Sequence, residues 1–213
     1  MAEAVPVNGS TRPPIRLVRS DEARLPTEHG NFRIVAFTEE ATGKEHLAIV
    51  AGETEGRHGV LVRLHSECLT GDVLGSKRCD CGAQLDLALS RIADEGGVVL
   101  YLRQEGRGIG LANKVRAYHL QDQGMDTIQA NLHLGFPADA RCYTVAAEIL
   151  DALGVQCVRL MTNNPDKVEK LRKKGIEVVA REPHEIPPND ENRAYLVTKR
   201  DKMSHTLVID PEP

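Results

Sequence analysis

The chain has 213 residues, 41% of them hydrophobic and 27% charged, with a formal net charge of -4. That length suits one large domain with its own core, or a compact domain with an appendage. The composition excludes intrinsic disorder and a general affinity for nucleic acid, so an anionic ligand needs a local cluster of cations.

No stretch approaches the roughly 18 apolar residues of a membrane span, and the first twenty residues, MAEAVPVNGSTRPPIRLVRS, contain no apolar signal core. Pro13-Pro14 also breaks any amphipathic transit helix there. The expectation is a cytoplasmic protein with no membrane or nucleic-acid partner and a flexible tail over residues 1–20.

In chain order, FRIVAF (32–37) and HLAIVAG (46–52) read as a hairpin across a polar stretch. HGVLVRLHS (58–66) is a further strand and runs directly into SECLTGDVLGSKRCDCG. Leu85, Ala88, Leu89 and Ile92 then recur at helical spacing until Gly96-Gly97, and GVVLYL (97–102) is a buried strand. A helix over 111–123, a short apolar segment near Ile128 and a helix over 143–153 follow. In the last unit a strand (155–161) leads to Asn163 or Asn164 as cap and Pro165 in the first helical turn. That helix ends at Gly175 before a strand at 176–180. Residues 183–194 read as a polar loop. Strand, helix and strand in short succession imply parallel pairing with right-handed crossovers. The expected fold is therefore α/β: a mixed sheet flanked by helices, antiparallel in its N-terminal part.

Reducing conditions make a disulfide framework an unsuitable use for five cysteines, and clustered thiols point to metal or catalysis. Cys157, in the apolar run VQCVRLM, reads as a small buried residue, and Cys142 as structural. Cys68, Cys79 and Cys81 offer three soft ligands that suit zinc. With His65 as a fourth ligand the site is closed and structural; with three ligands it keeps a position for an activated water. Spacing leaves both open. The H-x-E and P-C-x-x-C pieces of a zinc nucleobase deaminase are absent.

RQEGRGIGLANK (103–114) puts Gly106, Gly108 and Gly110 between a strand and a helix. It reads either as a tight turn or as an anion site in which exposed amides are joined by Arg103, Arg107 and Lys114. It matches neither dinucleotide nor P-loop motifs. In TNNPDK, Thr162 and Lys167 fall at the carboxyl end of a strand, where ligands collect in parallel sheets. Asp139 and Arg141, in FPADARCY, read as a surface pair unless a site claims them.

Taken in order, RLHSECLTGDVLGSKRCDCG, LRQEGRGIGLANKVRAYHLQDQG, LGFPADARCY and RLMTNNPDKV closely resemble the GTP cyclohydrolase II family, from about residue 22 to residue 207 and including YLVTKRDKM. That family opens GTP at the start of riboflavin synthesis. The resemblance implies a domain over 21–207, a C-terminal tail over 208–213, and a homodimer. It implies a catalytic zinc on Cys68, Cys79 and Cys81, whose bound water attacks C8 of guanine before a second hydrolysis releases formate. Asp139 is then a proton acceptor. Arg141 attacks the α-phosphate or only stabilises it, with magnesium on the triphosphate and pyrophosphate released. Nucleotide contacts map to Arg63, Leu64, His65, Ser66 and Glu67, to Gln84, to Glu105, Gly106 and Arg107, and to Thr127, Thr162 and Lys167. Tyr118 goes with complete formate release, the alternatives being a relative that stops at the ring-opened formyl product or a non-catalytic nucleotide-binding paralogue. Departures from the family pattern are Met125, Gln129 and Ser204, the last expected to be harmless.

Overall fold

The computed structural model describes residues 15–203 and 205–209. Residues 1–14 of the tail expected over 1–20, Ser204, and residues 210–213 of the tail expected over 208–213 lie outside them.

One seven-stranded sheet organises these residues, in the order β1-β2-β3-β5-β4-β6-β7. Its antiparallel part is β1 (Leu17–Thr27), β2 (Gly30–Glu39) and β3 (Glu45–Ala51), with β3 antiparallel to β5 (Gly97–Leu102). β5, β4 (Val60–Ser66), β6 (Cys157–Met161) and β7 (Glu177–Glu182) run parallel. The period of two along each strand splits the core into two layers. Val60, Val62 and Leu64 of β4 join Val98, Leu100 and Leu102 of β5 on one face. Leu61, Val99 and Met161 join on the other. Arg63 and His65 share the face of Leu61, so β4 changes from apolar to polar at its carboxyl end on that face alone.

Helices cover both faces. α1 (Leu69–Asp72) is a single turn after β4; α2 (Cys81–Glu95) buries Ala88 and Ile92 against Leu61 and Val99. α3 (Leu111–Asp122) and α4 (Thr127–His133) form a pair at the carboxyl end. α5 (Thr144–Ala152) presents Val145, Ala146, Ile149 and Leu150 to the opposite layer, and α6 (Pro165–Arg172) adds Leu171. Asn164 caps α6 by accepting from Asp166 N, with Pro165 at the first helical position as the sequence requires.

The expected architecture is present, with three differences. The tail expected over 1–20 gives way to β1 at Leu17. That edge strand, LVRSDEARLPT, is exposed along most of its length, so it carries no apolar alternation to read. The apolar segment near Ile128 is a helix, α4, started by a capping box between Asp126 and Gln129. The loop expected over 183–194 is followed by an unforeseen helix, α7 (Arg193–Lys202), in which only Leu196 and Thr198 are buried.

Candidate active site

Parallel strands bring their carboxyl ends to one edge of a sheet, and ligands gather outside that edge. β4 runs into the cysteine segment, β5 into Glu105–Gly108, and β6 into Thr162–Lys167. The three motifs, remote in sequence, therefore meet in one cleft. It is lined by Arg63, His65, Ser66, Glu67, Cys68, Cys79, Cys81 and Gln84 together with Glu105, Gly106, Arg107, Tyr118, Thr127, Arg141, Thr162 and Lys167. Leu64 and Asp139 do not line it. The Leu64 side chain packs in the core and only its carbonyl turns inward, to accept from Lys167 Nζ at 2.9 Å. Asp139 is reached through Arg141.

The three Sγ atoms of Cys68, Cys79 and Cys81 lie within 4.8 Å of one another. The space beneath them requires a glycine: a Cβ on Gly71 would stand 2.8 Å from Cys79 Sγ and 3.2 Å from Cys68 Sγ. Hydrogen bonds from Cys79 and Cys81, with Lys114 Nζ 3.0 Å away, hold the Cys68 thiol well below its ordinary pKa. That negative charge pushes Cys79 up to about 11, and Cys81 well above its usual value too. The three thiols thus compete for one negative charge, and a soft divalent ion would favour the thiolate form of all three. The donor set and its cradle fit zinc.

His65 stands apart from the three thiols. Its Nε2 lies 3.0 Å from Asp72 Oδ1, and Asp72 Oδ2 also accepts from Cys68 N and Tyr101 OH, each at 2.9 Å. His65 therefore steadies the carboxylate that steadies Cys68. Among the described residues no fourth His, Cys, Asp or Glu joins the set.

Lys114 links this cluster to the glycine-rich loop, donating to Glu105 Oε1 at 2.8 Å while Glu105 Oε2 accepts from Leu69 N at 2.7 Å. In that loop Arg107 takes φ 60°, a left-handed conformation costly for a side chain bearing a Cβ. The loop is held by Ala140 N, which donates to Arg107 O. Tyr118 OH lies 3.3 Å from Thr70 Oγ1, and the Arg78 guanidinium sits over its ring. Burial raises the Tyr118 pKa, so it stands as a neutral phenol.

Another part of the cleft is cationic. Lys167 is buried, its charge disfavoured by burial and then by Arg63, Arg141 and Lys199, and its pKa falls well below the ordinary lysine value. Burial brings Arg63 down to about 10; it donates to Met161 O and to Gln84 Oε1. Arg141 and Asp139 form a two-pronged ion pair, Nε to Oδ1 at 2.9 Å and Nη2 to Oδ2 at 2.6 Å. Burial opposes the Asp139 charge, but the hydrogen bonds and charge of Arg141 outweigh it and lower the pKa. Burial likewise opposes the Arg141 charge, while Tyr143 and Asp139 more than offset it. Excess buried positive charge of this kind is matched by a polyanion.

The profile of the GTP cyclohydrolase II family matches residues 18–183. The chain belongs to the GTP cyclohydrolase II family. It is 57% identical over 194 residues to a GTP cyclohydrolase-2 of Proteus mirabilis, covering 91% of this chain and 98% of that one. It is 59% identical over 186 residues to a riboflavin biosynthesis protein of Vibrio vulnificus, covering 87% of this chain and 51% of that one. A solved two-domain 3,4-dihydroxy-2-butanone 4-phosphate synthase from A. baumannii aligns over 83% of this chain and 40% of its own, at 23% identity and a TM-score of 0.43. As a member of this family the chain is an enzyme whose substrate is GTP, and the three-thiol and cationic clusters are parts of one cleft in it.

Several cleft residues were not marked by sequence. Arg78, Asp80, Tyr195 and Lys199 all line it. Asp80 carried a signal, standing between two clustered cysteines; Tyr195 and Lys199 fall in YLVTKRDKM, which the resemblance includes without a site role for either, and their helix is hardly apolar. Lys114 meets Cys68 and Glu105, while Arg103 pairs with Glu67 at 2.9 Å and does not line the cleft. Cys142 Sγ lies 3.4 Å from Thr144 Oγ1 at the start of α5. Cys157 is buried at the amino ends of the parallel strands beside the exposed His58 and Glu177.

Proposed function

We propose that this GTP cyclohydrolase II holds zinc on Cys68, Cys79 and Cys81 and hydrolyses GTP at C8 of the guanine. Formate and pyrophosphate leave, giving 2,5-diamino-6-ribosylamino-4(3H)-pyrimidinone 5′-phosphate, a product for riboflavin synthesis. The observation that carries the reading is the meeting of a three-thiol cluster and a group of buried cations, Lys167, Arg63 and Arg141, in one cleft, which suits a ligand with a base at one end and a triphosphate at the other.

When bound, zinc supplies Lewis acidity that makes water nucleophilic near neutral pH. Lys114 keeps Cys68 ionised for that ion, while Asp72, steadied by His65 and Tyr101, holds the Cys68 amide. Tyr118, protonated and beside Thr70, donates a hydrogen bond or a proton as the formyl group departs. Lys167, Arg63 and Arg141 bind the phosphates, with magnesium on the triphosphate, and Arg107, Thr127 and Thr162 complete the contacts. Two roles remain for Arg141. Its bond pair to Asp139 keeps the guanidinium protonated, which supports electrostatic stabilisation of the phosphoryl transfer over attack by a neutral guanidine. Asp139 accepts a proton once ligand draws Arg141 away from it.

The retained Tyr118 supports the full reaction over a halt at the formyl product. The exposed Val73, Leu74, Leu111, Val115 and Leu132 support a homodimer that covers them. A cytoplasmic site of action is the setting in which thiolates such as those of Cys68, Cys79 and Cys81 stay reduced and can hold a metal. Among the described residues no helix is long and apolar enough to cross a membrane. Incubation of the zinc-loaded protein with GTP and magnesium tests the proposal: formate and pyrophosphate are expected together, and the absence of both would contradict it.

A further inference from the structure

The family profile ends at residue 183, and the chain returns to the cleft after it, in the segment YLVTKRDKM. Tyr195 and Lys199 stand one helical turn apart on α7 and face inward. Lys199 Nζ donates to Asp80 Oδ1 at 2.8 Å, and the two side chains are 12% and 2% exposed. Asp80 lies between Cys79 and Cys81 and precedes the first residue of α2. Its other oxygen accepts from Gln84 Nε2 at 2.5 Å, and Gln84 Oε1 accepts from Arg63. The Tyr195 ring lies between Lys199, 4.4 Å from its centre, and Arg107, 5.8 Å from it. After α7, Thr206 N and Oγ1 both donate to Asn163 O, and Val208 N donates to Glu185 Oε2. The C-terminal segment is thus fastened at the cysteine loop and at the loop after β6.

We propose that Lys199 is a positioning residue for the metal centre: it fixes the Cys79–Cys81 loop through Asp80, and so makes α7 part of the active site. A carboxylate buried to this depth needs a partner, and the partner chosen here comes from a separate element at the far end of the chain. The pair sets the backbone from which two of the three thiols project. The influence of Lys199 passes through Asp80, the carboxylate to which it donates.

The inference rests on the zinc reading of the cysteines, and the experiment separates the two. Zinc-loaded wild type, Lys199→Met, Lys199→Arg, Asp80→Asn and the Lys199→Met/Asp80→Asn double variant are mixed with a colorimetric chelator, and the rate of zinc release is followed. Lys199→Met is expected to release zinc about 10- to 100-fold faster, the usual cost of losing an outer partner of a metal site. Lys199→Arg, which keeps the cation, should stay within about threefold of wild type, and the double variant should be no faster than the faster single one. Where Lys199→Met does not fold, Lys199→Gln takes its place. Unchanged release in the Lys199 variant, or effects that multiply in the double variant, would overturn the proposal. Wild type that retains no zinc, or a Cys79→Ser variant that retains it, would instead contradict the metal reading.

Discussion

At the scale of single residues, the roles divide by charge state. Tyr118 is held as a phenol, so removing its hydroxyl removes a donor and leaves the thiol cluster intact. Tyr118→Phe and Tyr118→Met should still open the ring but release formate about 100-fold more slowly or worse, with the formyl product accumulating on chromatography. Arg141→Ala should slow pyrophosphate release about 100- to 1,000-fold, and Arg141→Lys should recover part of that loss if charge is what matters. A lysine variant as slow as the alanine one would favour a covalent role. Lys167 gives a pH signature. Its pKa in the free enzyme is lowered by burial and by Arg63, Arg141 and Lys199, while phosphates require the ammonium form. Above that lowered pKa, GTP must therefore bind together with a proton, so KM should rise with pH and binding should take up protons from buffer. Lys167→Arg, which stays charged, should flatten the dependence.

Elements show where sequence was readable. α2 and β5 announced themselves because their apolar residues follow one period and end at glycines, and the parallel unit β6-α6-β7 because cap, proline and glycine stand in order. β1 and α7 were hidden for a shared reason: each is an edge element with little buried surface, so neither carries a periodic signal. The cysteines and the glycine-rich loop were legible as chemistry, since thiol spacing is local. The partner of Asp80 was not, because Lys199 is 119 positions away. Packing between elements also makes predictions. Gly97→Ala would place a Cβ 2.2 Å from Leu61 O, where β5 adjoins β4, and should destabilise the fold by about 1–3 kcal/mol in urea unfolding. Gly71→Ala, whose Cβ would meet the thiols themselves, should instead lose zinc while the sheet persists, which metal analysis beside far-UV dichroism would show.

On the scale of the whole molecule, burial at the carboxyl edge of the sheet sets the acid limit of stability. His184 is fully buried with Nε2 on Gln84 O at 2.8 Å, and burial, then Arg63, lowers its pKa to about 3. His205 is lowered to about 3 as well, by burial and then Lys199. Each is neutral when folded but binds a proton near pH 6.5 when unfolded, so stability is lost as pH falls below about 6.5 and continues to fall toward 3. For His184 the loss between pH 6.5 and 5 is about 2 kcal/mol, and His184→Gln should reduce the slope of urea midpoint against pH. The same edge holds the cysteine cluster, the cationic wall and the C-terminal strap, so fold and reaction share one set of buried polar groups. The central claim is that one cleft opens the guanine ring of GTP and releases both formate and pyrophosphate. Its most direct test is the ratio of formate to pyrophosphate released by the zinc-loaded protein with GTP and magnesium: equal amounts are predicted, and GTP left intact by fully loaded protein would contradict the account.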